Sequence, residues 1–280
     1  MSKLTSVFLP FEKADRKTTI GIALVWGLMT AAFWIAVTAR GGDSSRDLAA
    51  FFPFLNGNQA ILPTIPNPVE VYNAFWSEMG GGLLAQLLGS LRTSIEAIVL
   101  ASVVGLAIVY AATMAAFRPP AILIGTFRFL SLAGITVIFM MMLNDHALKV
   151  GILAFSMMTF FVADMLQTID DIPQSEFDHV KTLGYSRGQI VFEVVIMGTL
   201  AAAFEAIRKN AAIAWMMLTS VESLVRSEGG IGLLLITLQR SGDYMSIFAV
   251  QLMIFAVGIG QDRLLKYLKI VACPYTQYRR

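Results

Sequence analysis

Long apolar runs alternate along the chain with short polar segments. A transmembrane helix needs roughly 20 mostly apolar residues to cross about 30 Å of hydrocarbon. Six runs approach or exceed that length, although the last one is short. They are Thr18–Ala39, Ala97–Phe117, Ala121–Leu143, Val150–Ile169, Met197–Val221 and Met245–Ile259. The pattern predicts an all-α polytopic membrane protein with about six transmembrane helices.

The first run is predicted to be an uncleaved anchor. It follows Lys13, Arg16 and Lys17, and Val37-Thr38-Ala39 loosely resembles a signal cleavage site. However, the run is longer than the roughly 7–15 apolar residues of a signal peptide core. The segment after it is rich in proline and glycine, which predicts a loop. Within this loop we expect a short helix near Val69–Met79.

Lys and Arg residues outside the spans favour one orientation, because cytoplasmic loops carry an excess of them. With the N-terminus in the cytoplasm, twelve lie inside and six outside. Both termini are therefore predicted to be cytoplasmic. The expected segments are a cytoplasmic N-terminus (1–17), the first span (18–39), an extracytoplasmic loop (40–89), a core with five spans (90–269) that includes a cytoplasmic loop (170–195), and a cytoplasmic tail (270–280).

Composition narrows the class of protein. The chain is 56% apolar and 14% charged, whereas soluble domains are about 45–50% apolar and about 25% charged. Its mean hydropathy is +0.69, so an ordinary soluble enzyme is excluded. A net charge of +2 is too small for nucleic acid to be the main partner. The single cysteine, Cys273, excludes a disulfide framework.

The loop between the fourth and fifth spans carries two helix-start signals. Ser175-Glu176-Phe177-Asp178 is an acidic variant of the capping box, and Ser186-Arg187-Gly188-Gln189 has the Ser-x-x-Gln form. Gly184 lies between them, where a left-handed residue would end the first helix. The loop is predicted to form a short helix, a sharp turn and a second helix that enters the bilayer.

The first of these helices, Glu176–Leu183, is amphipathic. Phe177, Val180, Leu183 and Thr182 share one face at helical spacing. Because so short a helix is unstable alone in water, it must bury that face. The membrane surface, the protein itself and a partner protein all remain possible at this point.

This loop resembles the coupling loop of bacterial ABC-importer permeases. The family pattern is roughly Glu-Ala-Ala, three residues and Gly, and the run here is Asp178-His179-Val180-Lys181-Thr182-Leu183-Gly184. His179 and Val180 replace the two alanines, and Met197-Gly198 stands near the usual Leu-Pro.

Other stretches resemble the nitrate/sulfonate/taurine branch of these permeases, in the same order along the chain. They extend the resemblance from about Leu62 to Lys269. The matching stretches are Leu62-Pro63, Asn67-Pro68-Val69-Glu70-Val71, Ser90-Leu91-Arg92, Arg208, Trp215, Glu222, Gly230-Ile231-Gly232 and Asp262. The family's usual Pro-rich, Trp-containing third span is absent.

The resemblance implies a type I ABC importer permease fold with a cytoplasmic coupling helix, in a bacterial inner membrane. It implies a second copy of the permease, a pair of ATPase subunits that bind ATP and Mg²⁺, and a periplasmic or lipid-anchored substrate-binding protein. The chain has no phosphate-binding loop of its own, so it is not expected to be an enzyme. The implied ATPase contacts are Glu176, Phe177, Asp178, Val180, Lys181, Thr182, Leu183 and Gly184.

The resemblance also implies a small anion, nitrate or an organic sulfonate, as the cargo. The candidate pathway residues are Arg128, Ser131, Thr136, Arg208, Trp215, Thr219 and Glu222. Arg128 is close enough to the cytoplasmic end of its span to snorkel. Arg208 and Lys209 either form ion pairs with Glu205 or attract an anion. Glu222, with Arg226, is expected to be solvated or to contact the binding protein.

Two alternatives belong to other classes. An ion-coupled secondary transporter would use Asp164, Glu205 and Arg208 in the spans, although we find no internal repeat of the kind such transporters carry. A membrane hydrolase would need a nucleophile and a base, and no such motif is present. His146 and His179 are predicted to lie on opposite sides of the membrane, where they cannot share a metal.

Overall fold

The computed structural model describes residues 16–39, 68–225 and 229–274. The predictions for 1–15, for the loop over 40–67 with Leu62-Pro63, for Arg226 and for the tail over 275–280 lie outside the described residues. The chain divides into two compact units, Met1–Trp76 and Ser77–Arg280.

The first unit contains helix α1, Arg16–Ala39, and most of helix α2, Pro68–Gly80. Helix α1 forms where the first apolar run predicts a helix. Its described side chains, over 20–31, are mostly exposed and include Trp26 and Leu28. Helix α2 matches the short helix expected near Val69–Met79.

The second unit consists of packed helices. In chain order these are α3 (Leu83–Ala111), α4 (Arg118–Thr126), a 3₁₀ turn (Phe127–Phe129), α5 (Leu132–Met140), α6 (Asp145–Asp170), α7 (Gln174–Thr182), α8 (Arg187–Ile190), a π-helical segment (Val191–Met197), α9 (Gly198–Leu224), α10 (Ile231–Ser241) and α11 (Tyr244–Ala272). Helix α8, the π segment and α9 form one continuous helix of 38 residues.

Four helices among the described residues are long and apolar enough to cross a membrane. They are α3, α6, the continuous Arg187–Leu224 helix and α11, and α4 with α5 would make a fifth span if the bent pair crosses as one. The chain is therefore a multi-pass membrane protein with four or five candidate spans in this part. The prediction of about six transmembrane helices is supported for four or five of them.

The third predicted span, Ala121–Leu143, is not one straight helix. The segments on either side of the break meet at an angle of 110°. The break falls at Leu130 and Ser131, whose ψ angles of 141° and 131° are extended. Neither residue is proline or glycine, so the apolar pattern gave no sign of a break.

Two other spans are longer than predicted. Helix α3 begins at Leu83 rather than Ala97, and α11 continues past Ile259 to Ala272. In both cases charged residues interrupted the apolar run without ending the helix. Some of these charges are paired: in α3, for example, Arg92 Nε donates to Glu96 Oε1 at 2.7 Å.

Helix α6 lies at the centre of this unit and packs against α3, α4 and α9. Small residues allow the close approach that is typical of packed membrane helices. An added Cβ at Gly105 would lie 2.6 Å from Cδ1 of Phe161 on α6. A buried cluster joins α3, α6 and α9 and consists of Val109, Phe161, Val162, Met165, Ala203 and Ala206.

Candidate functional site

The predicted cytoplasmic helix is α7, and it stands away from the helical core. None of its residues is buried. On its apolar face Phe177 and Val180 are half-buried, and Leu183, just past its end, is 62% exposed. On another face Lys181 Nζ donates to Asp178 Oδ1 at 2.9 Å. The apolar face thus has no complete cover within the described part of the chain.

The start of α7 differs from the prediction. The helix begins at Gln174 and its N-cap residue is Pro173, so Ser175 lies inside the first turn and does not cap it. Proline has a fixed φ near −65° that suits a helix start. The Ser-to-acid spacing therefore indicated the right region but the wrong cap residue.

The turn after α7 agrees with the sequence. Gly184 has a φ of +79°, the left-handed conformation expected at the end of a helix, and its N–H donates to Lys181 O at 3.0 Å. The backbone N–H and hydroxyl of Ser186 both donate to Gln189 Oε1, at 2.9 and 2.8 Å. This second signal does start a helix.

That helix connects the turn directly to a membrane span. Arg187–Leu224 continues through the π-helical segment without a loop. At 1.5 Å per residue it is about 57 Å long. Any displacement of the turn at Gly184 would therefore move the end of this long, continuous helix.

A buried polar network lies at the C-terminal end of this long helix. Glu222 is 1% exposed. Its Oε1 accepts a hydrogen bond from Ser90 Oγ at 2.6 Å, and its Oε2 accepts one from the Gly232 N–H at 2.9 Å. Ser90 Oγ also accepts from the Ile231 N–H at 3.0 Å. Glu222 is therefore neither solvated nor in position to meet a partner directly, and the expectation of solvation was wrong.

Glycines make this network possible. Gly229 and Gly230 have positive φ angles of 74° and 115°, which side-chain-bearing residues rarely adopt. A Cβ on Gly230 would collide with the Glu222 carboxylate, and one on Gly232 would collide with the Thr219 carbonyl oxygen. The turn at Gly229 and Gly230 brings α10 into contact with Glu222.

Lys149, which was not among the predicted site residues, also lies at this end of the helices. Lys149, on α6, is 3% exposed, and its Nζ donates to Gly229 O at 2.8 Å. It lies close enough to Glu222 for the two charges to interact. Both residues line a cleft of about 490 Å³ that Arg92 and His146 also border. His146 Nε2 lies 2.6 Å from Glu96 Oε2.

The opposite end of α9 is tied to α11 by ion pairs. Arg208 pairs with Glu205 on its own helix, and its Nη1 donates to Asp262 Oδ1 at 3.2 Å. Lys269 Nζ donates to the other Glu205 oxygen, Oε2, at 2.8 Å. Of the two alternatives for Arg208, neutralisation by carboxylates is the one that this geometry provides.

A third polar contact lies between these two networks. Trp215 Nε1 donates to Gln261 Oε1 at 2.6 Å, which again joins α9 to α11. Trp215 and Arg208 border the same cleft of about 420 Å³. Lys209, by contrast, is exposed and belongs to no ion pair among the described residues.

The remaining pathway candidates line neither of these two clefts. Arg128 is exposed, 5.1 Å from the centre of the Phe129 ring, and Ser131 is exposed at the break. Thr136 is buried and donates to Leu132 O within its own helix. Thr219 is half-buried and donates to Met216 O.

The residues named for an ion-coupled transporter divide between two clefts. Asp164 and Glu205 line a cleft of about 470 Å³ together with Lys209 and Lys269. Arg208 lines the neighbouring cleft with Trp215. Among the described residues no group of three or more His, Cys, Asp or Glu side chains could hold a metal ion.

Comparison with known proteins gives a distant similarity. No family model matches the chain. A protein from Methanocaldococcus jannaschii whose name describes it as an ABC transporter permease is 27% identical over 101 residues. The match covers 36% of this chain and 38% of that relative. The chain is thus similar to a permease over about a third of its length.

Proposed function

We propose that this chain is the membrane permease subunit of an ABC transporter. More narrowly, we propose an importer in which two copies form the pathway, a pair of separate ATPase subunits binds ATP and Mg²⁺, and a substrate-binding protein delivers the solute. The assembly would lie in the cytoplasmic membrane with both termini inside. The single observation that carries the proposal is the uncovered α7, joined by one turn to a continuous spanning helix.

The coupling step follows from the shape of α7. Phe177, Val180 and Leu183 present apolar surface that suits a groove on a partner protein, as in other helix-in-groove contacts. ATP-driven closure of the ATPase pair would displace both copies of α7 together. Because Arg187–Leu224 is one helix, that displacement would tilt the span, a rigid-body change between inward-open and outward-open states.

The exposed face of α9 supports a second permease copy and a polar pathway. Lys209, Ser220 and Met216 are exposed on this helix, and Thr219 and Ser223 are half-buried. A lysine within a span is unfavourable against lipid by about 2.5–3.5 kcal/mol on insertion scales. This face is therefore better suited to a water-filled space between two copies than to lipid.

We propose a small anion, such as nitrate or an organic sulfonate, as the solute. The support is the exposed cation Lys209 on the same face as the hydroxyl groups of Thr219 and Ser220. A cationic lining lowers the cost of removing an anion from water. Arg208 is less suited to this role because its charge is already balanced by Glu205 and Asp262.

The runner-up is an ion-coupled secondary transporter. The observation in its favour is that Asp164 and Glu205 border one cleft. The two functions differ in the source of energy. Solute uptake by this chain alone in vesicles, driven by an ion gradient without ATP, would support the runner-up and contradict the ABC proposal.

The decisive experiment for the proposal is co-expression with the ATPase encoded nearest to this chain. Phe177→Ala and Gly184→Val are expected to abolish co-purification or substrate-stimulated ATP hydrolysis. Ser175→Ala is the matched control, because Ser175 is exposed on the same helix away from the apolar face and is not among the implied ATPase contacts, so both should remain intact. Normal assembly and stimulated hydrolysis in Phe177→Ala and Gly184→Val would remove α7 as the coupling element.

A further inference from the structure

The cleft beside Glu222 has the features of a ligand site. It lies where the N-terminal parts of α3 and α6 meet the C-terminal end of α9 and the Gly229-Gly230 turn. Its volume of about 490 Å³ falls in the roughly 300–1,000 Å³ range of small-molecule sites. We propose that this cleft binds an oxygen-bearing anionic group through Lys149, separately from the translocation pathway.

Lys149 is the group that indicates an anion. An ammonium has three N–H donors and no acceptor. Among the described residues, Lys149 Nζ donates to one acceptor, the Gly229 carbonyl oxygen, although the residue is 3% exposed. Burying a charge is unfavourable unless it is paired and hydrogen-bonded. Two donors of a buried cation therefore remain for a ligand.

Glu222 does not accept a hydrogen bond from either of the two remaining Lys149 donors. Its two oxygens accept hydrogen bonds from Ser90 Oγ and from the Gly232 N–H, and those bonds fix the carboxylate against α3 and α10. Its charge acts on Lys149 from nearby, but no ion pair between the two residues is formed in the described structure. The Glu222 carboxylate thus reduces the net positive charge of the cleft but leaves the two remaining Lys149 donors available.

The other polar groups of the cleft fit the same ligand class. Gln86 supplies an amide, and Arg92 and His146 border the opening. Arg92 and His146 both contact Glu96, so Lys149 is the lining cation whose donors the ligand would use. A carboxylate, nitrate or sulfonate has oxygens enough to accept from Lys149 and one neighbour at once. A phospholipid phosphate presents the same chemistry.

The identification of a free anion as the ligand rests on the proposed function, which names an anionic solute. The site itself does not depend on it, because binding to the isolated permease needs no ATPase. Loss of coupling in Phe177→Ala tests the function, whereas anion binding to the purified full chain tests the site. The experiments can therefore contradict the proposed function and still support the anion site, or the reverse.

The test is titration calorimetry on the full-length chain in neutral detergent, with sodium methanesulfonate and sodium nitrate against sodium chloride at equal ionic strength. Lys149→Met is expected to weaken binding of the oxyanions at least tenfold. Lys266→Met is the matched control, because it removes an exposed lysine on α11 outside the cleft and should leave the affinity unchanged. Gln86→Leu, which leaves the Glu222 network intact, is expected to weaken binding about threefold.

A second arm distinguishes a solute from a lipid headgroup. The same variants are placed in nanodiscs with and without phosphatidylglycerol, and retained lipid is identified by native mass spectrometry. Lysine-dependent binding of either methanesulfonate or phosphatidylglycerol supports the site and names its ligand. If Lys149→Met and Gln86→Leu remain folded and bind every probe as the unmodified chain does, or if chloride binds as well as the oxyanions, the proposal is overturned.

Discussion

The hydroxyl of Ser90 donates a 2.6 Å hydrogen bond to the carboxylate of Glu222, although 132 residues separate the two in sequence. Both residues are 1% exposed. Through the N–H groups of Ile231 and Gly232, the same pair holds the start of α10. Three stretches that the family resemblance singled out one by one, at Ser90, Glu222 and Gly230-Ile231-Gly232, are thus a single structural unit.

We predict that Ser90 and Glu222 are energetically coupled. Removing one partner of a buried hydrogen bond leaves the other unsatisfied, which typically costs about 1–3 kcal/mol. Ser90→Ala and Glu222→Gln should each lower the free energy of unfolding, measured by denaturation in mixed micelles. The double variant should lose less than the sum of the two.

Ser102→Ala provides the control for this cycle. Ser102 lies on the same helix, and its hydroxyl donates only to Ile98 O one turn earlier. Its replacement should change the unfolding free energy by less than about 0.5 kcal/mol, the usual scale away from specific structural features. Additive losses in the Ser90 and Glu222 double variant would show that the pair acts independently.

A second prediction concerns the close contact between α9 and α10. Gly232→Ala would place a methyl group against the Thr219 carbonyl oxygen, which is backbone and cannot rotate away. Overpacking of this kind costs typically about 1–3 kcal/mol. Thermal unfolding of the purified protein should therefore begin at a lower temperature than for the unmodified chain.

Gly134→Ala is the matched control for Gly232→Ala. Gly134 is also helical, but an added Cβ there meets nothing within 4 Å, and alanine is the better helix former by about 1 kcal/mol. Its unfolding temperature should stay the same or rise. Equal behaviour of the two variants would mean that α9 and α10 do not approach as closely as described.

The apolar pattern was sufficient for the helical class and for the position of most spans. It located the helices that became α6, α9 and α11, because long apolar runs and helix boundaries are local properties of the sequence. It also placed the turn at Gly184, since a positive φ strongly favours glycine. These features require no knowledge of what each segment packs against.

What the pattern missed depends on tertiary partners. The 110° bend at Leu130 and Ser131 carries no local signal. Lys149 and Gln261 were not recognised because their roles arise only when Gly229 and Trp215 are brought beside them. Glu222 was expected in solvent for the same reason: a lone carboxylate near a helix end gives no hint that Ser90 will lie next to it.

A third prediction separates two adjacent basic residues on α9. Arg208 is paired with Glu205 and Asp262, whereas Lys209 is exposed and in no ion pair among the described residues. Arg208→Gln should lower the free energy of unfolding by up to about 1 kcal/mol, the usual limit for partly exposed pairs. Lys209→Gln should leave stability unchanged but reduce anion uptake by reconstituted complexes.

This comparison tests the pathway as well as the fold. Uptake of nitrate or methanesulfonate and unfolding in mixed micelles are measured on the same preparations of both variants. If Lys209→Gln transports normally, the exposed lysine does not line the route. If Arg208→Gln keeps full stability but loses uptake, the role of Arg208 is in transport and the ion pairs are incidental.

The last prediction uses the backbone of the turn between α7 and α8. Gly184 has a φ of +79° and no neighbour within 4 Å of an added Cβ, so conformation alone limits what can replace it. Asparagine tolerates the left-handed region, whereas a β-branched residue there is a strained outlier. Gly184→Asn should therefore retain most substrate-stimulated ATP hydrolysis in the assembled complex, and Gly184→Val should lose most of it. Gly188→Ala, in the next helix with open space around it, should behave as the unmodified chain. Equal activity of the asparagine and valine variants would show that the angle of this turn does not transmit the coupling movement.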